Sequence, residues 1–394
     1  MPSSRYAAAL SVHPVAFEAV GAVVGELLEQ LEGERPDLIV FFVSRHHVEA
    51  FSDIAEGLRA LLEPDVLIGA TAVSIAGGSR EVEDEPALSV WAADWGGGRV
   101  SGFALDARPD AGGVRVDGWP ADIAADATVL LLADPFSFPV ADLLALCNTR
   151  VPGLCVIGGL ASAGTMAGTN RLVFDDRVMR SGAVGVVLPA EIPVRTLVSQ
   201  GCRPVGSPFT VTKADANVVL ELGGRTAIAR LEELVAAAGT AERALLAHGL
   251  QVGIVVDEHR VEFDRGDFLV RSVLDADHRT GTVTVGGPVE VGQILQFQVR
   301  DADAADDDLG ALLEAASPFG QGAFEDGGPV RSALLFTCNG RGARFFGRPD
   351  HDAGLIDEWL GPLPLAGAFC AGEIGPIGGR NFLHGFTASI ALFG

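Results

Sequence analysis

The sequence predicts an α/β (α+β) protein in which repeated β-α-β-β units form mixed β-sheets covered by helices. Three observations lead there. A strand–helix–strand–strand pattern recurs three times along the 394 residues. Each copy carries a glycine in its second strand and closes with a further apolar strand. A β-rich stretch with one long helix separates the second copy from the third.

The elements follow in order. Pro14 suits a first helical turn, and Phe17, Val20, Val24, Leu27, Leu28 and Leu31 recur at helical spacing until Gly33 and Pro36. Residues 1–35 therefore read as an amphipathic helix packed on the core. Copy one runs from "LIVFFV" at residue 38 through the helix "VEAFSDIAEGLRALL" to "VLIGA" and "LSVWAA". Copy two has "VLLLA" from 129, "PVADLLALC", "LCVIGG", the hairpin-like "RLVFDDRVMRSG" and "AVGVVL". Copy three has "ALLFT" from 333, "DAGLIDEWL", "PLAGAF", a Gly-rich loop and "FTASIALF". The glycines fall at 69, 158 and 367, which are 31, 29 and 34 residues after the strand starts. A helix between two strands permits a parallel crossover, and the hairpins imply antiparallel pairs beside it.

Between copies two and three, "RTLVSQG", "FTVTKADANVVLEL", "VGIVVDE", "FLVRSVL", "TVTVGG" and "QILQFQV" read as strands around the helix "RTAIARLEELVAAAG". A domain boundary is expected within 223–240, giving one domain over 36–222 and another over 223–394. The acidic run "DADAADDD" at 301–308 lacks the ligand pattern of a calcium loop and reads instead as the cap of the next helix.

Composition excludes several functions. The formal net charge is -24, from 52 acids against 28 bases, with lysine almost absent. Nucleic acid and anionic membranes would be repelled, so neither is an expected partner. No stretch reaches the length of a transmembrane helix, and the N-terminus makes a poor secretory signal. Cys147, Cys155, Cys202, Cys338 and Cys370 are odd in number and irregularly spaced, which argues for thiols in a reducing cytoplasm. No zinc-type spacing occurs, so no metal site is expected.

The motifs "LLFTCNGRGARFFG" and "PLAGAFCAGEIGPIGGRNFLHGFTASIALF" resemble the C-terminal half of FIST-domain proteins. "VIGGLASAG", "RLVFDDRVMRSGAVGVVL" and "PFTVTKADANVVLELGGRTAI" resemble the N-terminal half. The resemblance runs from about residue 36 to the end, so 36–222 and 223–394 correspond to two fused FIST-type halves. It departs at "IGATAVSIAGG", where many relatives carry a Gly-Glu-Ile-like turn. The resemblance implies a cytoplasmic sensory signal-transduction protein that binds a small molecule, amino acids being the proposed ligands. One branch of the family resembles haem-binding nitric oxide sensors; another recognises substrates beside an F-box. This chain holds no output module, so it would signal through a protein partner in trans. Exposed sheet edges are compatible with a homodimer.

Cys338 and Asn339 sit where a strand leaves the sheet, a common place for ligands. Arg341 offers a two-pronged fork for a carboxylate. Glu373 suits an ammonium or fixes Arg341, and Asn339 and Asn381 donate and accept. Gly342 and Gly372 let backbone approach closely. With Cys370, these residues form a candidate ligand cradle suited to a zwitterion. Three alternatives stand beside it. Arg341 and Glu373 form a structural pair in an interaction scaffold with an inert pocket. Cys338 or Cys370 acts as a thiol nucleophile with His384 as base and Glu373 as orienter. A haem is held by His46 or His47, while His13, His248, His259, His278 and His351 lack helpful neighbours.

Overall fold

The computed structural model describes residues 4–97, 99–110, 113–256, 263, 265–318, 320, 322, 324 and 328–394; His259 lies outside them. The chain opens with strand β1 (Arg5–Ser11) and helix α1 (Ala16–Gln30). Repeat one follows: β2 (Leu38–Ser44), a 3-10 turn (Arg45–Ala50), α2 (Phe51–Leu62), β3 (Val66–Ala72), the hairpin β4 (Ile75–Gly77) and β5 (Arg80–Val82), and β6 (Leu88–Asp94). Strands β7 (Ser101–Asp110) and β8 (Gly113–Asp117) lead into repeat two. That repeat has β9 (Thr128–Ala133), α3 (Val140–Arg150), β10 (Cys155–Leu160), the hairpin β11 (Leu172–Phe174) and β12 (Arg177–Met179), and β13 (Ala183–Leu188). β14 (Val194–Gln200) comes next.

The insertion then runs through β15 (Cys202–Pro204), β16 (Phe209–Asp215), β17 (Val218–Leu222), β18 (Arg225–Thr226), α4 (Ala227–Ala237), α5 (Thr240–Gly249) and β19 (Leu250–Val255). It ends with β20 (Phe268–Asp277), β21 (Thr282–Val285) and β22 (Ile294–Arg300). After α6 (Ala302–Ala316), repeat three comprises β23 (Ser332–Cys338), α7 (Ala343–Phe346), α8 (His351–Leu360), β24 (Leu365–Cys370), the hairpin β25 (Glu373–Ile377) and β26 (Arg380–His384), and β27 (Thr387–Phe393).

By contacts the chain divides into two compact units. One holds Met1–Val198, Leu309–Leu383 and Thr387–Gly394; the other holds Ser199–Asp308 and His384–Phe386. The first contains all three repeats apart from His384–Phe386 of repeat three. Each builds the same sheet: its first two strands pair in parallel across the helix, and its closing strand pairs antiparallel to the first.

The hairpins do not stay with their own repeats. β4–β5 of repeat one pairs with β24 of repeat three. β25–β26 of repeat three pairs with β10 of repeat two. β11–β12 of repeat two pairs with β3 of repeat one. The sheet orders are accordingly β1-β6-β2-β3-β11-β12, β26-β25-β10-β9-β13-β7-β8 and β14-β27-β23-β24-β4-β5. Each repeat therefore completes the edge of another in a closed cycle. Such local β-α-β-β units were legible in the sequence; the exchange was not, because strand periodicity says nothing about which edge a strand joins.

One face of each sheet contributes to a shared apolar core that includes Phe42, Trp91, Leu132, Ile157, Phe336 and Phe393. The opposite faces are covered by helices: α1 and α2 on repeat one, α3 on repeat two, α6 and α8 on repeat three. On α1, Val20, Val24 and Leu27 are buried as the spacing implies, but Phe17 and Leu28 are exposed, at 82% and 40%. Ala19 and Val23 take their places in the buried stripe. The first 35 residues also contain β1, whose Ala-rich run gives little strand signal and which pairs along β6.

The repeated glycines have a packing reason. Gly69, Gly158 and Gly367 each lie opposite the middle of the neighbouring parallel strand, at Phe41, Leu131 and Leu335. A Cβ at Gly158 would come within 1.9 Å of the Leu131 carbonyl oxygen, and one at Gly367 within 2.5 Å of the Leu335 oxygen.

In the second unit the strands form a ring, β22-β16-β17-β21-β20-β19, closed because β22 also pairs with β19. Ring closure gives each of these six strands a neighbour on both sides. Its core includes Val211, Val219, Val252, Leu295 and Phe297. Thr226 caps α4 by accepting from the Ala229 amide. Within the acidic run, Asp301 accepts from the Ala304 amide at the start of α6, so the helix begins inside the run rather than after it. Asp308 accepts from the Ser199 hydroxyl and the Gln200 amide.

Two glycine substitutions should separate packing from propensity. Gly158→Ala should destabilise the protein by about 3 kcal/mol through the backbone clash and the strained φ of +150°. Gly21→Ala, on an exposed stretch of α1 with nothing within 4 Å of the new Cβ, should stabilise it by about 1 kcal/mol. Urea unfolding midpoints check both.

Candidate functional site

The exit of repeat three concentrates the charge. β23 and β24 end in register at Cys338 and Cys370. The chain then turns, with the Asn339 amide donating to the Cys370 carbonyl and the Arg341 amide donating to the Cys338 carbonyl. This turn swings the Arg341 side chain inward, where it is fully buried.

Its fork meets Asp352 on α8, not Glu373. Nε donates to Oδ2 at 2.9 Å and Nη2 to Oδ1 at 2.7 Å. Thr337 Oγ1 donates to Asp352 Oδ2 at 2.5 Å, and His351 Nδ1 lies 2.8 Å from Oδ1. His351, which seemed isolated in sequence, is thus part of the cluster and stacks on Phe346. Although burial opposes its charge, the Arg341 guanidinium and the His351 contact hold the Asp352 carboxyl well below the usual carboxylate range.

Glu373 is also fully buried. Its Oε2 accepts from the Thr387 hydroxyl at 2.8 Å and the Thr387 amide at 3.2 Å. Burial pushes its pKa up to about 8, against the smaller opposing effects of these bonds and of Arg341. The cyclic exchange lets this position be compared between repeats. Glu373 faces Gly159, Ile75 faces Ala368 and Leu172 faces Ala70, and each of those partners follows a repeat glycine by one residue. Two of the three equivalent positions are apolar and lie in the shared core; only repeat three has a carboxyl there.

The hairpin from repeat one supplies two more carboxyls, Glu81 and Glu83, that sequence reading missed. Glu81 Oε1 accepts from the Asp352 and Ala353 amides at 2.8 and 3.0 Å, capping α8. Asp350 in turn accepts from the Glu81 amide. Burial, and then the neighbouring Asp352, raise the Glu81 pKa to about 8. Glu83 Oε1 accepts from the Ala343 amide at 2.7 Å. It lies so close to Gly342 that a Cβ there would meet it at 2.2 Å. The signal in sequence was "REVEDEP", an alternation that puts Glu81 and Glu83 on the same side of a strand. Nothing in it identified the distant sheet it joins.

Three buried polar atoms at this exit have no hydrogen-bond partner: Arg341 Nη1, Glu81 Oε2 and Glu373 Oε1. The remaining predicted residues have other placements. Asn339 is exposed. The Gly372 carbonyl accepts from the Leu160 amide. Asn381 fastens the exchanged hairpin to repeat two, accepting from the Val156 amide, donating to the Leu154 carbonyl and bonding Asn148. It is therefore engaged with repeat two instead of with Arg341.

Cys370 is buried and its thiol is pushed well above its ordinary pKa, so it is protonated at neutral pH. His384 belongs to the other compact unit. His46 is exposed, and His47 is buried with Nε2 3.1 Å from the His13 carbonyl. Both lie in the 3-10 turn rather than on a strand. Burial lowers the His47 pKa. A surface cavity of about 610 Å³ lies elsewhere, between α2 and the β11–β12 hairpin, beside the Arg59–Asp175 ion pair. Among the described residues no helix is long and apolar enough to cross a membrane, and no group of three His, Cys, Asp or Glu is placed to hold a metal ion.

Comparison with known proteins agrees with this architecture. The FIST N domain matches residues 37–225 and the FIST C domain matches residues 227–376. The chain belongs to the FIST family, whose domains are associated with signal-transduction sensing. It is similar to the uncharacterized protein Mb0898c of Mycobacterium bovis, with 47% identity over 382 residues and 96% of each chain covered. It is also similar to the uncharacterized protein Rv0628c of Mycobacterium tuberculosis, with 46% identity over 389 residues and 99% of each chain covered.

Two measurements follow. Arg341→Ala leaves Asp352 buried without its counter-ion, so it should cost about 3–5 kcal/mol. Chemical denaturation checks it. The folded-state pKa of Glu373 is raised, so the native state binds more protons than the unfolded state between about pH 4.5 and the folded value of about 8. Its contribution is full below that window and is lost as pH rises through it. Stability should fall across the window, and Glu373→Gln should flatten the slope.

Proposed function

We propose that the protein is a sensory signal-transduction module that binds a small zwitterion, an amino acid being the best fit, at the exit of repeat three. One observation carries this reading: a buried arginine and a buried glutamate there leave Arg341 Nη1 and Glu373 Oε1 without a nitrogen or oxygen hydrogen-bond partner, with the Cys338 thiol beside Glu373. An unpaired buried polar atom is costly, typically about 1–3 kcal/mol and more for a charged group. A ligand carboxylate on Nη1 and a ligand ammonium on Oε1 would satisfy both. Cys338 and Cys370 line the adjacent strand ends, and the Asn339, Gly342 and Gly372 turns bound them. Bound ligand would tighten the junction between the β4–β5 hairpin, α8 and β25, and a protein partner in trans would read that change.

The binding would be linked to protons. Glu373 has a pKa of about 8, so it is mostly protonated at neutral pH. A ligand ammonium favours the carboxylate and displaces that proton. Calorimetry with a panel of amino acids, run in two buffers of different ionisation enthalpy, tests this. The expected result is release of about one proton per ligand and an affinity that strengthens as pH approaches about 8. Glu373→Gln should weaken binding by about tenfold or more and abolish the proton release. Absence of binding by any zwitterion would refute the reading. A Soret band in protein purified without additions would move the assignment to a haem sensor, with His46 and His47 as the first substitutions.

A further inference from the structure

We propose that Cys338 and Cys370 form a peroxide-oxidisable dithiol that closes to a disulfide across the ends of β23 and β24. The two are register partners on neighbouring parallel strands. Such partners share one face of the sheet, with Cα atoms about 5 Å apart, inside the range a disulfide spans. Lateral Cβ separation in a sheet is somewhat long for a bridge, which makes the bond strained and readily reduced, as regulatory disulfides are. The fold does not call for thiols at this place. Repeat one has Ser44 opposite Ala72. In repeat two, Asp134 and Ala161 follow the registered pair Ala133 and Leu160.

The two sulfurs have different surroundings, and that sets their order. Cys338 is buried, at 6% exposure, but is followed by exposed Asn339 at the strand end. Its Sγ accepts from the Gly340 amide at 3.4 Å and is within electrostatic reach of the Arg341 guanidinium. The amide and the guanidinium turn donor and positive groups toward this sulfur, whereas the Cys370 thiol donates to the Ala368 carbonyl. Cys370 is enclosed, with its sulfur seated against Gly159, where a Cβ would meet it at 2.3 Å. Glu373 interacts electrostatically with Cys370 and through a side-chain hydrogen bond with Cys338.

The chemistry balances with one hydrogen peroxide. The Cys338 thiolate attacks a peroxide oxygen, the O–O bond breaks, and the departing hydroxide takes up the thiol's proton as water. Cys338 is now a sulfenic acid. The Cys370 sulfur then attacks the Cys338 sulfur. The S–O bond breaks, and the departing hydroxide takes up the Cys370 proton as a second water. Two thiols are oxidised and one peroxide is reduced to two waters. Closure requires the Cys370 sulfur to leave its seat on Gly159, so the bridge would register on β10 and on the β25 hairpin that pairs there.

The test is peptide mapping of the intact protein after peroxide treatment, with quenching, alkylation in denaturant and digestion without reductant. The expected result is a linked peptide pair containing Cys338 and Cys370, reversed by dithiothreitol, with Cys147, Cys155 and Cys202 alkylated. Cys370→Ser should instead leave a Cys338 sulfenic acid that dimedone traps. Cys338→Ser should leave Cys370 unoxidised. Full alkylation of both residues in the wild-type protein, or a bridge to any other cysteine, would overturn the proposal. The mapping reads sulfur chemistry alone, so its failure and the failure of zwitterion binding are separate results.

Discussion

The cyclic exchange of hairpins is the constraint on which the rest of the structure depends. Each repeat has a parallel strand pair with one open edge, and an open edge is a row of unpaired backbone donors and acceptors. Each repeat also projects a hairpin too short to be stable alone. Placing the hairpin on a neighbour's edge solves both problems at once, and doing so three times returns to the start. The shared core and the positions of Glu81, Glu373 and Asn381 follow from that closure.

The same closure explains how one exit became different. The exchanged strands place Ile75, Leu172 and Glu373 at equivalent points. With Ile and Leu the position is an ordinary part of the core. With Glu it becomes a buried carboxyl held mostly protonated near neutrality. The hairpin of repeat one brings Glu81 and Glu83 onto α8 and α7 of repeat three. Arg341 and Asp352 supply the compensating ion pair. Polar groups of the β5 hairpin, the turn after β23, α8 and β25 thus converge where a core residue would suffice for folding alone.

Much of this was legible in the sequence. The three strand–helix–strand units, the shared glycines and the family's two halves could be read because periodicity and close backbone approach leave local marks. Cys338, Arg341 and Glu373 stood out because a charged pair beside a strand end is unusual in so apolar a segment. What could not be read depended on distant partners. Asp352 lies in the segment "DAGLIDEWL", read only as a helix, and the sequence offers Arg341 a ligand carboxylate or Glu373 as partner because Arg341 and Glu373 lie in recognisable motifs. Glu81 and Glu83 carry no local mark, since their partners lie on the sheet their hairpin joins. Strand β1 was hidden by its alanines, and Phe17 and Leu28 fitted a helical stripe whose centre lies one residue away. The closure of the second unit's strands into a ring leaves no local mark either.

The most direct test of the cyclic closure is amide hydrogen exchange, resolved by residue. If the hairpins are integral edges, the paired amides of 75–82, 172–179 and 373–383 should be protected to the same extent as those of β2, β9 and β23, and all should open together with global unfolding. If any hairpin exchanges in a separate, faster event while the central strands stay protected, it is an appendage. The account of a fold held together by mutual exchange would then be contradicted.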